Sequence, residues 1–143
     1  MLADKNPLFE CADCLCLASR RAARGITRAF DRQLRPYGIR ATQFSLLTVL
    51  ELKGPQPIGE LARTLGAERT TLTRNLARIE EQSLVAMRAG DDARERIVAI
   101  TPAGRKALAK AFPAWRRAQA ELTASIGAPL ADSLRRLARS SRP

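Results

Sequence analysis

The chain contains no histidine among its 143 residues. Histidine is the commonest general base, the base of the usual serine-hydrolase triad and a frequent zinc ligand, so its absence argues against these chemistries. The sequence also lacks a glycine-rich phosphate loop and a pair of carboxylates in an apolar setting. We therefore expect a protein that is not an enzyme and that needs no metal or cofactor.

Long apolar runs and cysteines are also scarce. No stretch approaches the ~18 consecutive apolar residues of a membrane span, and the N-terminal residues lack the basic-then-apolar order of a signal peptide. Cys11, Cys14 and Cys16 are an odd number of cysteines clustered within six positions, which is not the framework of a disulfide-stabilised secreted domain. The sequence thus predicts a cytoplasmic protein without membrane contact.

Basic residues, above all arginine, are in excess. The chain has 25 lysines and arginines against 14 acidic residues, and all but four of the 25 are arginine. Arginine is suited to forked contacts with phosphate and with guanine edges. No basic segment is backed by a long apolar face, as a membrane-surface helix would be, so we expect nucleic acid as the partner.

Apolar residues recur at three- and four-residue steps in several segments, which predicts a mainly helical chain. Its length suits one domain, residues 1–143, with a long helix over 10–36 and a helical segment of two helices over 102–140. Pro36 ends the first of these, and a second helix runs over 42–53. Thr101 is expected to cap the helix that begins at Pro102, and Pro113 to kink or interrupt it. A last helix is expected from about Pro129.

Two short amphipathic patterns lie in the middle of the chain, joined by Gly66. The first ends at Leu65, and the same period resumes from Leu72 to Ile79. Two short helices joined by a left-handed glycine predict a helix-turn-helix. The runs 85–89 and 97–101, separated by a charged tip, predict a β-hairpin directly after it. The expected fold is therefore mainly α with a small β-hairpin wing, a winged helix-turn-helix over 42–101.

The second short helix is expected to bury its leucines and to turn its threonines and Arg74 outward. Such a helix can enter a major groove, although threonines also simply start surface helices. At the hairpin tip, Asp92 lies close enough to orient the Arg94 guanidinium for a narrow minor groove, the alternative being a solvated charged turn. The side chains predicted to contact DNA are Arg69, Thr70, Thr71, Thr73, Arg74, Arg78, Asp92, Arg94 and Arg96.

The segment GELARTLGAERTTLTRNLARIEEQSLV, the D-x-R-x-R tip and the I-T-P-A-G-R helix start resemble the MarR family of bacterial winged helix-turn-helix regulators, over about residues 11–138. The resemblance implies an obligate homodimer through the first and last two helices. It also implies that Thr70, Thr71, Thr73 and Arg74 lie on the recognition helix and that Arg94 is the minor-groove arginine of the wing, held by Asp92. Pro57 and Arg40 depart from the family pattern, which puts two helix starts in question.

The expected function is a transcriptional regulator that binds a palindromic, inverted-repeat operator on double-stranded DNA as a homodimer. The resemblance favours a repressor released by a small phenolic or carboxylate effector. The effector would bind between the dimer helices and the winged helix-turn-helix of residues 42–101, which we call the reading head. A nonspecific nucleoid-type DNA-binding protein is a further alternative.

The cysteines leave another alternative open, a thiol-based redox or metalloid sensor of the same fold. Within a helix, Cys16 would point about 200° away from Cys14, so the three thiols would not converge on one ion. If Cys11 precedes the helix, a reactive C-x-x-C pair with Cys14 becomes feasible. Otherwise Cys11 fills the dimer core and the other two act as small apolar residues.

Overall fold

The computed structural model describes residues 6–141, which form six α-helices, two short 3-10 helices and a three-stranded sheet. The α-helices are α1 (Leu15–Leu34), α2 (Ala41–Lys53), α3 (Ile58–Leu65), α4 (Arg69–Glu81), α5 (Pro102–Ile126) and α6 (Ala128–Ser140). The strands are β1 (Gln56–Pro57), β2 (Val85–Ala89) and β3 (Arg96–Ile100). The prediction of a mainly helical chain with a small β wing is confirmed.

The sheet is antiparallel, with the strand order β1-β3-β2. Its hairpin register pairs Val85 with Ile100 and Ala89 with Arg96. Strand β1 was not predicted from the sequence: it has only two residues, and it pairs Gln56 with Val98. Because β1 immediately precedes α3, this pairing attaches the base of the wing to the start of the helix-turn-helix.

The core lies where α2 packs against α3, α4 and the sheet. Leucines and β-branched residues from all of these elements are completely buried there, which removes their apolar surface from water. The largest fully buried side chains are Leu34, Leu46, Leu47, Leu50, Leu61, Leu76, Ile79 and Val98.

The N-terminal helix is shorter than predicted. Residues Pro7–Asp13 form a separate 3-10 helix, in which the Asn6 side chain accepts a hydrogen bond from the Leu8 N–H. The backbone of Cys14 is non-helical (φ −59°, ψ 120°), and α1 begins after it. Cys11 therefore precedes the long helix instead of lying on it.

The two questioned helix starts obtain their hydrogen bonds in different ways. At α2, the Gln43 side chain accepts from the Arg40 N–H (2.9 Å), and Asp31 of α1 accepts from the Ala41 N–H (2.7 Å). At α3, Pro57 provides no side-chain cap, and β1 leads directly into the helix. The start of α2 is thus stabilised by groups outside the usual capping position.

Helix α5 passes through Pro113 without interruption. Proline removes one backbone donor, which leaves the carbonyl of Ala109 without its helical partner. Both residues lie on an exposed side of the helix. Water can satisfy that carbonyl there, so the helix continues.

Candidate nucleic-acid interface

Helices α3 and α4 are joined by a tight turn at Gly66. Gly66 adopts the left-handed conformation (φ 62°), and its N–H points back to the carbonyls of Ala62 and Arg63. A side chain would be strained at this φ, so glycine is required. The turn lets Leu61 of α3 and Leu72 of α4 be buried in one core, and this holds α4 on the surface of the domain.

All six residues of α4 that were predicted to contact DNA are exposed: Arg69, Thr70, Thr71, Thr73, Arg74 and Arg78. They are not equivalent. The Thr73 hydroxyl donates to the Arg69 carbonyl (2.8 Å), so its hydrogen is used within the helix. Thr71 borders a partly open pocket between α4 and the helices α1 and α2. The other four side chains, Arg69, Thr70, Arg74 and Arg78, are available to an outside partner.

The wing tip is shaped by backbone hydrogen bonds. The Gly90 N–H donates to the Glu95 carbonyl (2.8 Å) and the Glu95 N–H to the Asp92 carbonyl (2.9 Å). Asp92 also accepts from the Arg94 backbone N–H (3.0 Å). Arg94 is exposed on this hydrogen-bonded tip, and Arg96 is exposed at the start of β3.

The expected bond between the Asp92 carboxylate and the Arg94 guanidinium is not formed. The ion pairs within residues 6–141 join Arg105 to Glu51 and Arg135 to Asp132. A short side chain two residues before an N–H reaches that N–H easily, which is the geometry of an Asx turn. Asp92 therefore fixes the path of the loop and leaves the guanidinium free to meet a partner.

Thr101 ties the reading head to the long helix α5. Its hydroxyl donates to the Ser83 carbonyl (2.6 Å) and accepts from the Gly104 N–H (3.0 Å), and its own N–H donates to the Leu84 carbonyl (3.1 Å). The capping role was predicted, but the bond to Ser83 was not, because it joins residues 18 positions apart. The end of α4 is thereby linked to the start of α5.

A cavity of about 370 Å³ lies between α1, α2 and the inner side of α4. Its walls include Phe30, Leu46, Leu72 and Trp115, and its polar groups are hydroxyls and one amide. None of its lining residues is charged. Thr71 and Asn75 bring the recognition helix itself into the cavity wall.

Trp115 is the only tryptophan of the chain and the centre of an aromatic cluster. Its ring is nearly parallel to those of Phe44 and Phe112, each with a centroid distance of 5.8 Å, and Phe30 lies 6.5 Å away. Trp115 and Phe30 are the aromatic residues in the lining of the cavity.

The three cysteines are free and exposed. They lie on the 3-10 helix, at the residue before α1 and in its first turn, in chain order. Among residues 6–141 no three metal-ligating side chains of the Cys, Asp and Glu types cluster together. No helix in that range is long and apolar enough to cross a membrane.

These features define a winged helix-turn-helix protein, and comparison with known proteins identifies the family. The MarR family model matches residues 39–95. The Mycobacterium tuberculosis transcriptional regulator MosR, in a crystal structure with DNA, is 45% identical, and the match covers 90% of this chain and 96% of that one with a TM-score of 0.80. The chain belongs to the MarR family of transcriptional regulators.

One more structure of the same regulator and one further relative are also similar. A second crystal structure of MosR is 41% identical, covers 92% of this chain and 97% of that one, and has a TM-score of 0.80. The uncharacterised HTH-type transcriptional regulator YwoH of Bacillus subtilis (strain 168) is 36% identical over 86 residues. That match covers 60% of this chain and 63% of the relative's length.

Proposed function

We propose that the protein is a cytoplasmic, sequence-specific transcriptional repressor that binds an inverted-repeat operator as a homodimer. The observation that carries the proposal is the α4 surface, where exposed threonine and arginine side chains stand on a helix held outward by a buried leucine face. The relative MosR, 45% identical over nearly its whole length, was crystallised with DNA. We infer the same partner for this chain.

Within this function the residues of α4 and the wing have different roles. Thr70 and Arg74 meet base edges in the major groove, and Arg69, Thr71, Thr73 and Arg78 flank them. Arg94 enters the minor groove, with Arg96 beside it, on a tip whose path Asp92 holds. The roles follow from exposure, from the hydrogen bonds of the tip and from the family resemblance.

Dimerisation is supported by the ends of the chain, which leave apolar side chains uncovered. The exposed large apolar residues of these segments are Leu8, Phe9, Leu15, Leu17, Phe112, Leu130, Leu134 and Leu137. A second copy of the chain would bury those that lie in residues 10–36 and 102–140 of the single domain, and Leu8 and Phe9 directly precede the first of these segments. A two-fold dimer sets its recognition helices about 34 Å apart, one turn of DNA, which requires a palindromic site.

The cavity behind α4 is our candidate effector site. Its uncharged lining favours a phenolic ligand over a carboxylate, because no residue of the lining offers a cationic partner to a carboxylate. A ligand that contacts Thr71 and Asn75 would favour one position of α4 over another and so change the spacing of the two reading heads.

The effector site is tested with a matched pair of probes, 4-hydroxybenzamide and 4-hydroxybenzoate. We expect the uncharged amide to change the fluorescence of Trp115 in a saturable manner and to do so at lower concentration than the carboxylate. Ser45→Phe, which fills the cavity, should abolish the change. Tighter binding of the carboxylate would contradict the preference for an uncharged ligand.

A thiol sensor of the same fold is the second candidate, favoured by the position of Cys11 outside α1 and by the exposure of Cys14. Two thiols and one hydrogen peroxide would give one disulfide and two waters, and arsenite would instead bridge the thiolates. Release of DNA by either reagent, abolished by Cys11→Ser, would support this candidate. If neither reagent changes DNA binding, the thiol-sensor candidate is contradicted, and the cysteines serve only in packing.

The regulatory function is tested by selecting bound duplexes from the organism's own genomic fragments. A regulator should prefer the selected site to a random duplex of equal length by roughly 10³-fold or more, with a steep salt dependence. Arg74→Ala should reduce this preference more than it reduces binding to the random duplex. Equal affinity for both duplexes would contradict the proposal and favour a nucleoid-type protein.

A further inference from the structure

A polar cleft of about 720 Å³ opens beside the recognition helix. It lies where the end of α1, the start of α2 and the second half of α4 meet. Arg35, Arg40 and Arg78 line it, one from each of these three parts, together with Asp31 and Glu81. Only Arg78 among the three arginines was predicted from the sequence to contact DNA.

The three arginines of this cleft are exposed and lack acidic partners. Within residues 6–141 the salt bridges lie elsewhere: one joins Glu51 near the end of α2 to Arg105 of α5, and the other lies within α6. Asp31 accepts the Ala41 N–H at the start of α2 and keeps its negative charge. The three guanidinium groups still outnumber the carboxylates of Asp31 and Glu81, so the lining of the cleft has a formal net positive charge.

The free N–H groups of a helix start do not account for this site. The first two N–H groups at α2, those of Arg40 and Ala41, already donate to Gln43 and Asp31. The groups in the cleft that can bind a ligand are guanidinium groups, which bind phosphate through two parallel hydrogen bonds. An extended polyanion, or a small one, is the class of ligand that fits.

We propose that Arg35, Arg40 and Arg78 bind the DNA backbone phosphates that border the groove entered by α4. The inference rests on the proposed DNA-binding function and extends its contact surface. Arg78 lies one helical turn beyond Arg74, on the flank of the outward face. The cleft is thus continuous with the recognition surface.

Dimensions favour the DNA backbone as the occupant. An α-helix with its side chains is about 10–12 Å wide, and the major groove of B-DNA is about 12 Å wide. When a helix fills the groove, the phosphates at the edges of the groove lie next to the structural elements that flank the helix. Here these are the end of α1 and the start of α2, which carry Arg35 and Arg40.

Phosphate contacts fix register and affinity but carry no sequence information. Each one lost lowers the slope of log K against log salt by about 0.9, so one substitution in both subunits of a dimer lowers it by about 2. The ratio of operator to random-duplex affinity should stay within about twofold, because both duplexes have the same backbone. This separates the three arginines from Arg74.

The experiment compares Arg35→Gln, Arg40→Gln and Arg78→Gln with the control Lys53→Gln, by measuring Kd over a salt series on a selected operator and on a random duplex. Lys53 lies at the other end of α2, about 20 Å from Arg40 by helix rise, and is exposed. We expect the three arginine variants, and not Lys53→Gln, to lower the slope. Arg40→Lys should restore most of it, since the charge returns.

Unchanged slopes in the arginine variants would overturn the inference, and this is the result expected if the cleft holds a free anion instead of DNA. A slope lowered equally by Lys53→Gln would overturn it too, because the effect would then reflect net charge alone. A loss of the operator-to-random ratio would assign these residues to base contacts. The proposed function fails separately, if the unmodified protein shows no preference between the duplexes, and the slopes on random DNA still test the cleft.

Discussion

The winged segment and the terminal helices differ in how far each covers its own apolar residues. In the winged segment Leu61, Leu76 and Val98 are 0% exposed. On the terminal helices Leu15 is 85% and Leu137 59% exposed. The first region completes its core within one chain, and the second leaves large apolar side chains uncovered, as the proposed dimer requires.

The two regions also differ in charge. Residues 54–104 hold seven basic and seven acidic side chains, so the whole formal charge of +11 lies outside them. The arginines that dominate α1 include Arg20, Arg21, Arg24, Arg28 and Arg32. Attraction to a polyanion depends on the summed charge, whereas reading a base sequence depends on a few oriented groups. A neutral reading head inside a basic protein is consistent with this division.

The largest expected effect comes from breaking the terminal helices. Leu130→Glu places a charge on an exposed apolar position near the start of α6, where an acidic residue suits the helix dipole and should not unfold the chain. We expect a monomer in light scattering and a loss of operator affinity on the order of 10²-fold or more, since paired sites are lost.

Leu52→Glu is the matched control for this change, because Leu52 of α2 is 80% exposed but lies outside the terminal helices. It should leave the dimer and the operator affinity unchanged. A dimer that survives Leu130→Glu, or one that dissociates with Leu52→Glu, would contradict the comparison between the two regions.

The next prediction concerns the contact between the winged segment and the start of α5, where Gly104 packs against Leu84. A Cβ on Gly104 would collide with the Leu84 carbonyl oxygen, which also accepts the Thr101 N–H. Gly104→Ala should therefore lower the free energy of unfolding by about 1–3 kcal/mol, measured by urea denaturation. Gly59→Ala is the control: its Cβ meets nothing within 4 Å, and it should raise stability by about 0.5–1 kcal/mol. Equal effects would place no special constraint on this contact.

The helix-turn-helix was predictable because its signals are local. The period of Leu61, Leu72 and Leu76 and the position of Gly66 lie within one short segment, and α3 ends at the residue before that glycine. The start of α1 was placed too early, because nothing like a proline or glycine marks the break at Cys14. The apolar period simply continues across it.

The features that the sequence did not predict depend on contacts between residues that are far apart in the chain. Strand β1 exists only through its pairing with β3, about 40 residues away in the chain. The bond from Thr101 to Ser83 likewise needs the folded hairpin. Arg35 and Arg40 are candidate phosphate contacts only because the folded chain places them in a cleft beside α4. Spacing alone could not reveal these neighbours.

Two substitutions that each remove one arginine test whether specificity depends on a few oriented side chains or on the net charge of the protein. Arg94→Ala, at the wing tip, should weaken operator binding by about 1–3 kcal/mol and lower the preference over random DNA. Arg24→Ala, on α1, removes the same charge and should leave that preference unchanged. Titrations on operator and random duplexes measure both. If the two variants behave alike, the wing has no specific role.

The smallest expected effect distinguishes two roles of Asp92. In the structure its carboxylate accepts the Arg94 backbone N–H, a bond that an asparagine oxygen can also accept. Asp92→Asn should therefore bind the operator like the unmodified protein, whereas Asp92→Ala should weaken binding by about 1 kcal/mol, the net value of one hydrogen bond. If asparagine is as harmful as alanine, the negative charge itself must act on the Arg94 guanidinium once DNA is bound. That outcome would restore the role that sequence spacing predicted, and it would mean that even the neutral reading head depends on its internal charge pairs.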